Sequence, residues 1–137
     1  MKFASVRVVT QGLENMITFY QHLSGITANR PAEGFAEIHF NGAVLALSSE
    51  RLITLFNAGA AKAAANQSAI LEFEVTDVDA VLERIADNGV NVVMPTTTMP
   101  WGNRSLLLRD PDGNLVNIFS RPTNQSVNFP GNLVTPR

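Results

Sequence analysis

The spacing of apolar residues changes period along the chain, and each change marks an element. Phe3 to Val9 alternates and ends in β-branched residues, which predicts a first strand. Leu13, Met16, Ile17, Tyr20 and Leu23 then fall at helical spacing, and Gly25 stops the helix. Ile26 to Asn29 fits a short strand, and Arg30-Pro31-Ala32-Glu33-Gly34 reads as a turn cluster. Phe35 to Phe40 and Ala43 to Ser48 read as two strands joined at Asn41-Gly42, a strong hairpin signal. Ser49 to Gln67 breaks the pattern: Leu52 to Phe56 suits a short helix, and the Ala/Gly/Asn-rich remainder a mobile connector.

The same order then repeats. Ile70 to Val75 predicts a strand, and Thr76-Asp77-Val78-Asp79 a helix start with acidic residues placed to suit the dipole. Val78, Leu82 and Ile85 line one helix face, and Asn88-Gly89 ends it. Asn91 to Pro95, Arg104 to Arg109 and Asn114 to Ser120 predict three more strands, the last two joined by Asp110-Pro111-Asp112-Gly113. Leu13, Ile17 and Tyr20 match Val78, Leu82 and Ile85 at a constant offset, and Gly42 matches Gly113. The chain is therefore an α+β protein of two tandem βαβββ modules, expected to form a curved, cup-shaped mixed sheet with helices outside. Module one covers about residues 1–48, the connector 49–67 and module two 68–121. The Pro/Asn/Gly-rich tail, 122–137, is expected to run over the surface or onto a partner subunit.

Composition narrows the function classes. With 137 residues, 45% hydrophobic and 16% charged, the chain suits one globular domain with a core that needs no staples. A formal net charge of -2 argues against a nucleic-acid surface. The absence of cysteine removes disulfides, thiolate zinc sites and cysteine nucleophiles. Early charges make Met1 to Arg7 a poor signal peptide, and no apolar run approaches the ~20 residues of a membrane span. A cytoplasmic protein without nucleic-acid or membrane partners is the expectation.

Two stretches carry a resemblance. Leu13-Glu14-Asn15-Met16-Ile17-Thr18-Phe19-Tyr20 lies in the first half, and Trp101-Gly102-Asn103-Arg104 followed by Asp110-Pro111-Asp112-Gly113-Asn114 in the second. Around the duplicated pattern, from about Lys2 to Arg121, the chain resembles the vicinal oxygen chelate superfamily of glyoxalases, extradiol dioxygenases, fosfomycin-resistance enzymes and bleomycin-resistance proteins. Metal-dependent members draw four ligands, mostly His and Glu, from four strands. The resemblance puts those positions on Ser5, Ala46, Ile70 and Asn117. Ala46 and Ile70 cannot donate, and Ser5 and Asn117 are weak neutral donors. A one-residue slip would use the opposite sheet face, and a two-residue slip adds Glu72 without completing a set. His22 is expected on the solvent side of the first helix. His39 alternates with Phe35 and Glu37 and reads as a pocket residue rather than a ligand. No metal and no cofactor are expected.

Strand alternation then predicts the lining of the cup. Phe3, Arg7, Val44, Ser48, Glu72, Glu74, Leu115 and Phe119 share the face of Ser5, Ala46, Ile70 and Asn117. Val6, Val8, Leu45, Leu47, Leu71, Phe73, Val116 and Ile118 form an apolar face under the helices. The ligand-binding candidates are Ser5, Arg7, His39, Glu72, Glu74, Trp101, Asn117 and Phe119. Arg7, Glu72 and Glu74 either orient a polar ligand or pair with one another. Trp101 either stacks on a flat ligand or plugs a sheet edge. Arg104 reads as a salt-bridge partner of the acidic turn, and Leu52 and Phe56 as a lid or a dimer contact. These residues point to a metal-independent protein that binds or sequesters a small, partly aromatic molecule. The resemblance adds a homodimer. The alternatives are an enzyme (lyase, isomerase or dioxygenase, or a metal-free acid–base catalyst using Glu72 or Glu74 with Arg7) and a structural or regulatory module.

Overall fold

The computed structural model describes residues 1–122; the tail from 123 onward, with the role expected for it, lies outside the described residues. Strand β1 (Ser5–Thr10), helix α1 (Leu13–Ser24), β2 (Asn29–Ala32), β3 (Phe35–Phe40), β4 (Ala43–Ser49) and α2 (Glu50–Phe56) come first. They are followed by β5 (Ile70–Glu74), α3 (Val78–Ile85), β6 (Asn91–Thr98), β7 (Arg104–Arg109) and β8 (Leu115–Ser120). Each βαβββ module makes its own four-stranded mixed sheet, in the order β1-β4-β3-β2 and β5-β8-β7-β6. β1 runs parallel to β4 and β5 to β8, and the other pairs are antiparallel. The chain divides into two compact units. One is residues 1–67 with the turn Asp110–Asn114; the other is Ser68–Arg109 with the strand from Leu115.

In the first unit, α1 buries Met16, Ile17, Tyr20 and Leu23, the stripe its sequence predicts. Gly25 closes the helix in the left-handed region at φ +74°, its N–H donating to the Gln21 carbonyl. Against α1 lies the apolar sheet face, with Ala36, Ile38, Leu45 and Leu47 buried. The Tyr20 hydroxyl also has a polar partner, donating to Asp110 Oδ2 at 2.6 Å. Asp110 in turn accepts from the Asp112 and Asn114 backbone N–H groups and from Asn114 Nδ2, and Asn66 Nδ2 donates to Asn114 Oδ1. Burial, with the neighbouring Asp110 carboxylate, pushes the Tyr20 phenol far above its ordinary range.

In the second unit, Asp77 caps α3 by accepting from the Ala80 N–H at 3.1 Å. Val78, Val81 and Ile85 are the buried stripe. Leu82, expected to share that stripe, is only half-buried, and Val81 takes its place; the i+3 and i+4 spacings from Val78 admit either residue, so the spacing alone does not choose between them. Leu106, Leu108, Val116 and Ile118 complete this core.

Five expectations need correcting. The second strand is Asn29–Ala32, not Ile26 to Asn29, so Arg30-Pro31-Ala32 belongs to a strand and only Glu33-Gly34 turns. The strand predicted to end at Pro95 continues to Thr98. Both are edge strands with irregular register, where a missing N–H costs no ladder bond. Asn114 is buried in the turn and does not start β8. Phe3 precedes β1 and is largely exposed, and Val6, at the start of its strand, is exposed rather than packed under a helix. Among the described residues no helix is long and apolar enough to cross a membrane.

Candidate functional site

The register of the first sheet puts the predicted residues of module one on one face. Ser5 pairs with Val44, which pairs with His39 across the next strand; the neighbouring rung is Arg7, Ala46 and Glu37. His39 is half-exposed, with Nε2 at 3.4 Å from Glu37 Oε1. Arg7 donates from Nη2 to Asn57 Oδ1 at 3.1 Å, tying the residue that ends α2 to this face. His22 is exposed on α1, as expected.

The second sheet repeats the arrangement with different chemistry. Its rungs are Ile70–Leu115–Arg109, Glu72–Asn117–Leu107 and Glu74–Phe119–Ser105. Asn117, 9% exposed, donates from Nδ2 to Glu72 Oε2 at 3.0 Å. Glu74 accepts from Arg121 Nε at 3.1 Å, and that guanidinium lies 5.8 Å from the Phe119 ring centroid. Arg7 with Asn57 and Glu74 with Arg121 thus each find a partner inside their own unit. Trp101 stands in the β6–β7 turn, which is closed by bonds from Gly102 N–H to Met99 O and from Met99 N–H to Asn103 O.

Arg104 finds its acidic partner at the start of α3. Its Nε and Nη2 donate to the two oxygens of Asp79 in the first turn of α3, and Nη1 donates to Thr98 Oγ1. The guanidinium holds the Asp79 carboxyl below its usual range.

The four positions that the resemblance assigns to metal ligands do not fit a metal. Ala46 is 2% exposed and Ile70 49% exposed, and neither hydrocarbon side chain has a lone pair. Ser5 lies one rung from Ala46, and Asn117 already donates its amide to Glu72. Among the described residues no three His, Cys, Asp or Glu side chains gather where they could hold an ion. Neutral oxygens without a carboxylate or imidazole set make a poor seat for a divalent cation.

Sequence reasoning missed one feature of the first unit. A cleft of about 400 Å³ is lined by Thr10, Gln11, Leu13, Ser49, Glu50, Arg51 and Thr54. Glu50 accepts from the Ala63 N–H and from Gln11 Nε2, in that order of effect, and both hold its carboxyl below the usual range. The Ser-Glu pair at the head of α2 is the only sequence signal there, and Ser49 makes no capping bond.

The family model described as Glyoxalase/Bleomycin resistance protein/Dioxygenase superfamily matches residues 2–118. Among solved structures, a glyoxalase/bleomycin resistance protein/dioxygenase from Nocardioides is 23% identical, with 96% of this chain and 90% of that chain covered at a TM-score of 0.74. A glyoxalase-related enzyme from Fulvimarina pelagi is 23% identical, covering 94% and 98%, with a TM-score of 0.76. A glyoxalase/bleomycin resistance protein/dioxygenase family enzyme from Burkholderia phytofirmans PsJN is 16% identical, covering 88% and 98%, also at 0.76. At these identities the likeness is one of fold. No curated protein matches the chain.

Proposed function

This chain belongs to the glyoxalase/bleomycin resistance protein/dioxygenase superfamily, and from that membership we propose that it is a metal-independent binding protein for a small, partly aromatic molecule. The observation that carries the reading is the pair of hydrocarbon side chains, Ala46 and Ile70, at positions where metal-dependent relatives place donors, beside a retained polar pair, Glu72 and Asn117. A carboxylate and a carboxamide fixed side by side present acceptors and donors in a set geometry, which is how small-molecule sites orient their ligands. Trp101, 37% exposed, supplies aromatic surface in the same module, whereas Phe119 is buried at 4% exposure. A homodimer in the cytoplasm belongs to the same proposal, by analogy with bleomycin-resistance proteins.

The test is thermal unfolding of chelator-stripped protein during titration with Ni, Zn, Mn, Fe(II) and Co, followed by a panel of aromatic compounds. A ligand of the native state raises the midpoint as it passes its dissociation constant. The expected outcome is no shift with any metal and a saturable shift with at least one aromatic compound. That shift is diminished in Glu72→Ala, with the unliganded midpoint little changed. A saturable shift at micromolar metal would overturn the reading in favour of a metal-dependent enzyme.

A further inference from the structure

We propose that the Asn41–Gly42 step is a site of spontaneous deamidation in the folded protein. The two residues form the whole loop between β3 and β4, since Phe40 and Ala43 on either side are already paired. Both are exposed. Gly42 has φ +90° whereas Asn41 is not in the left-handed region, so positive φ occurs only at the second loop position, as in a type II turn. The hydrogen bond closing such a turn joins its outer residues, which leaves the amide nitrogen after Asn41 facing water. A Cβ built on Gly42 would meet nothing within 4 Å, so no neighbouring group shields the step. No side-chain bond holds the Asn41 carboxamide among the described residues.

The reaction needs only water. The Gly42 nitrogen attacks Asn41 Cγ, a C–N bond forms within a five-membered succinimide, and the Cγ–Nδ2 bond breaks with loss of ammonia, which carries off the Gly42 amide proton. Water then opens the ring at one carbonyl to give aspartate or at the other to give isoaspartate. Either product adds one negative charge to a chain of formal net charge -2. Isoaspartate also inserts a methylene into a loop of two residues, next to the strand that carries His39.

The chain contains its own controls. Asn88–Gly89 has the same sequence, but Asn88 is the last residue of a 3-10 turn and has an interaction of its own, so its backbone is held in a helical geometry. Asp112–Gly113 cyclises by the same route with loss of water, but the Gly113 N–H already donates to the Asp110 carbonyl at 2.9 Å. Both steps must wait for local opening, whereas Asn41–Gly42 need not.

The experiment incubates native and urea-unfolded protein in parallel at mildly alkaline pH and quantifies each product by peptide mass spectrometry. The ratio of native to unfolded rate is expected to be near one at Asn41 and at least about tenfold lower at Asn88 and Asp112. An equally low ratio at Asn41 would overturn the proposal. So would persistence of the native-state product in Asn41→Gln, whose longer side chain closes the ring poorly.

Discussion

Tyr20 and Asp110 form the most demanding contact in the first unit. The phenol is buried, its hydroxyl is 2.6 Å from a carboxylate, and it is the only tyrosine in the chain. Its folded pKa lies above the ordinary value of 10, so the sign of the pH effect is fixed. Below that value its contribution to stability is intact. Above it, the unfolded chain releases a proton that the folded chain keeps, and stability falls by up to about 1.4 kcal/mol per pH unit. Tyr20→Phe is expected to cost about 1–3 kcal/mol at neutral pH and to remove this slope. In the native protein, tyrosinate absorbance should rise only together with alkaline unfolding. A rise while the fold is intact would contradict the buried assignment. None of this was legible from residue types alone. Tyr20 reads as one apolar position among several and Asp110 as a turn former; their contact joins residues 90 apart in sequence. Arg7 with Asn57, 50 apart, was missed for the same reason.

At the scale of elements, periodicity read well wherever one face is buried. Strands β3 and β7 have the predicted bounds, and α3 starts where expected but ends at Ile85, with a 3-10 turn over Ala86–Asn88 carrying the chain to the predicted stop at Gly89. The errors gather at edges. Pro31 and Pro95 suggested a turn and a stop, yet both sit inside edge strands whose irregular register blunts pairing with other chains. Within α3 the sequence allowed two apolar stripes, one through Leu82 and one through Val81. The structure buries Val81 and leaves Leu82 partly in water. Denaturant unfolding can check this directly. Val81→Ala removes buried methyl groups and is expected to cost about 1–3 kcal/mol, whereas Leu82→Ala, despite losing more carbon, should cost less. The reverse order would mean that the helix is rotated from the position described.

At the scale of the whole molecule, the duplication is visible rung by rung: Arg7–Ala46–Glu37 in one sheet has its counterpart in Glu72–Asn117–Leu107 in the other. The copies differ where chemistry would differ. The β3–β4 loop has two residues between its paired ends and the β7–β8 loop five, and those extra residues supply Asp110 to the first unit. Ile85 stands where the repeat would place a second tyrosine, so the second unit lacks this bond.

The grouping of Asp110–Asn114 with residues 1–67 has a consequence for how the chain is made. Closing a loop of this length costs entropy that must be met before the contacts at its ends return anything. A growing chain therefore cannot complete its first unit when its own strands and helices have been synthesised. It must wait until the turn more than forty residues downstream has emerged. Ribosome-stalled chains ending shortly before Asp110 are expected to stay sensitive to protease throughout residues 1–67, and chains released beyond Asn114 to become resistant. Early resistance would show that the first unit closes without the turn. The two halves look like copies, but the first is finished only after most of the second has been made.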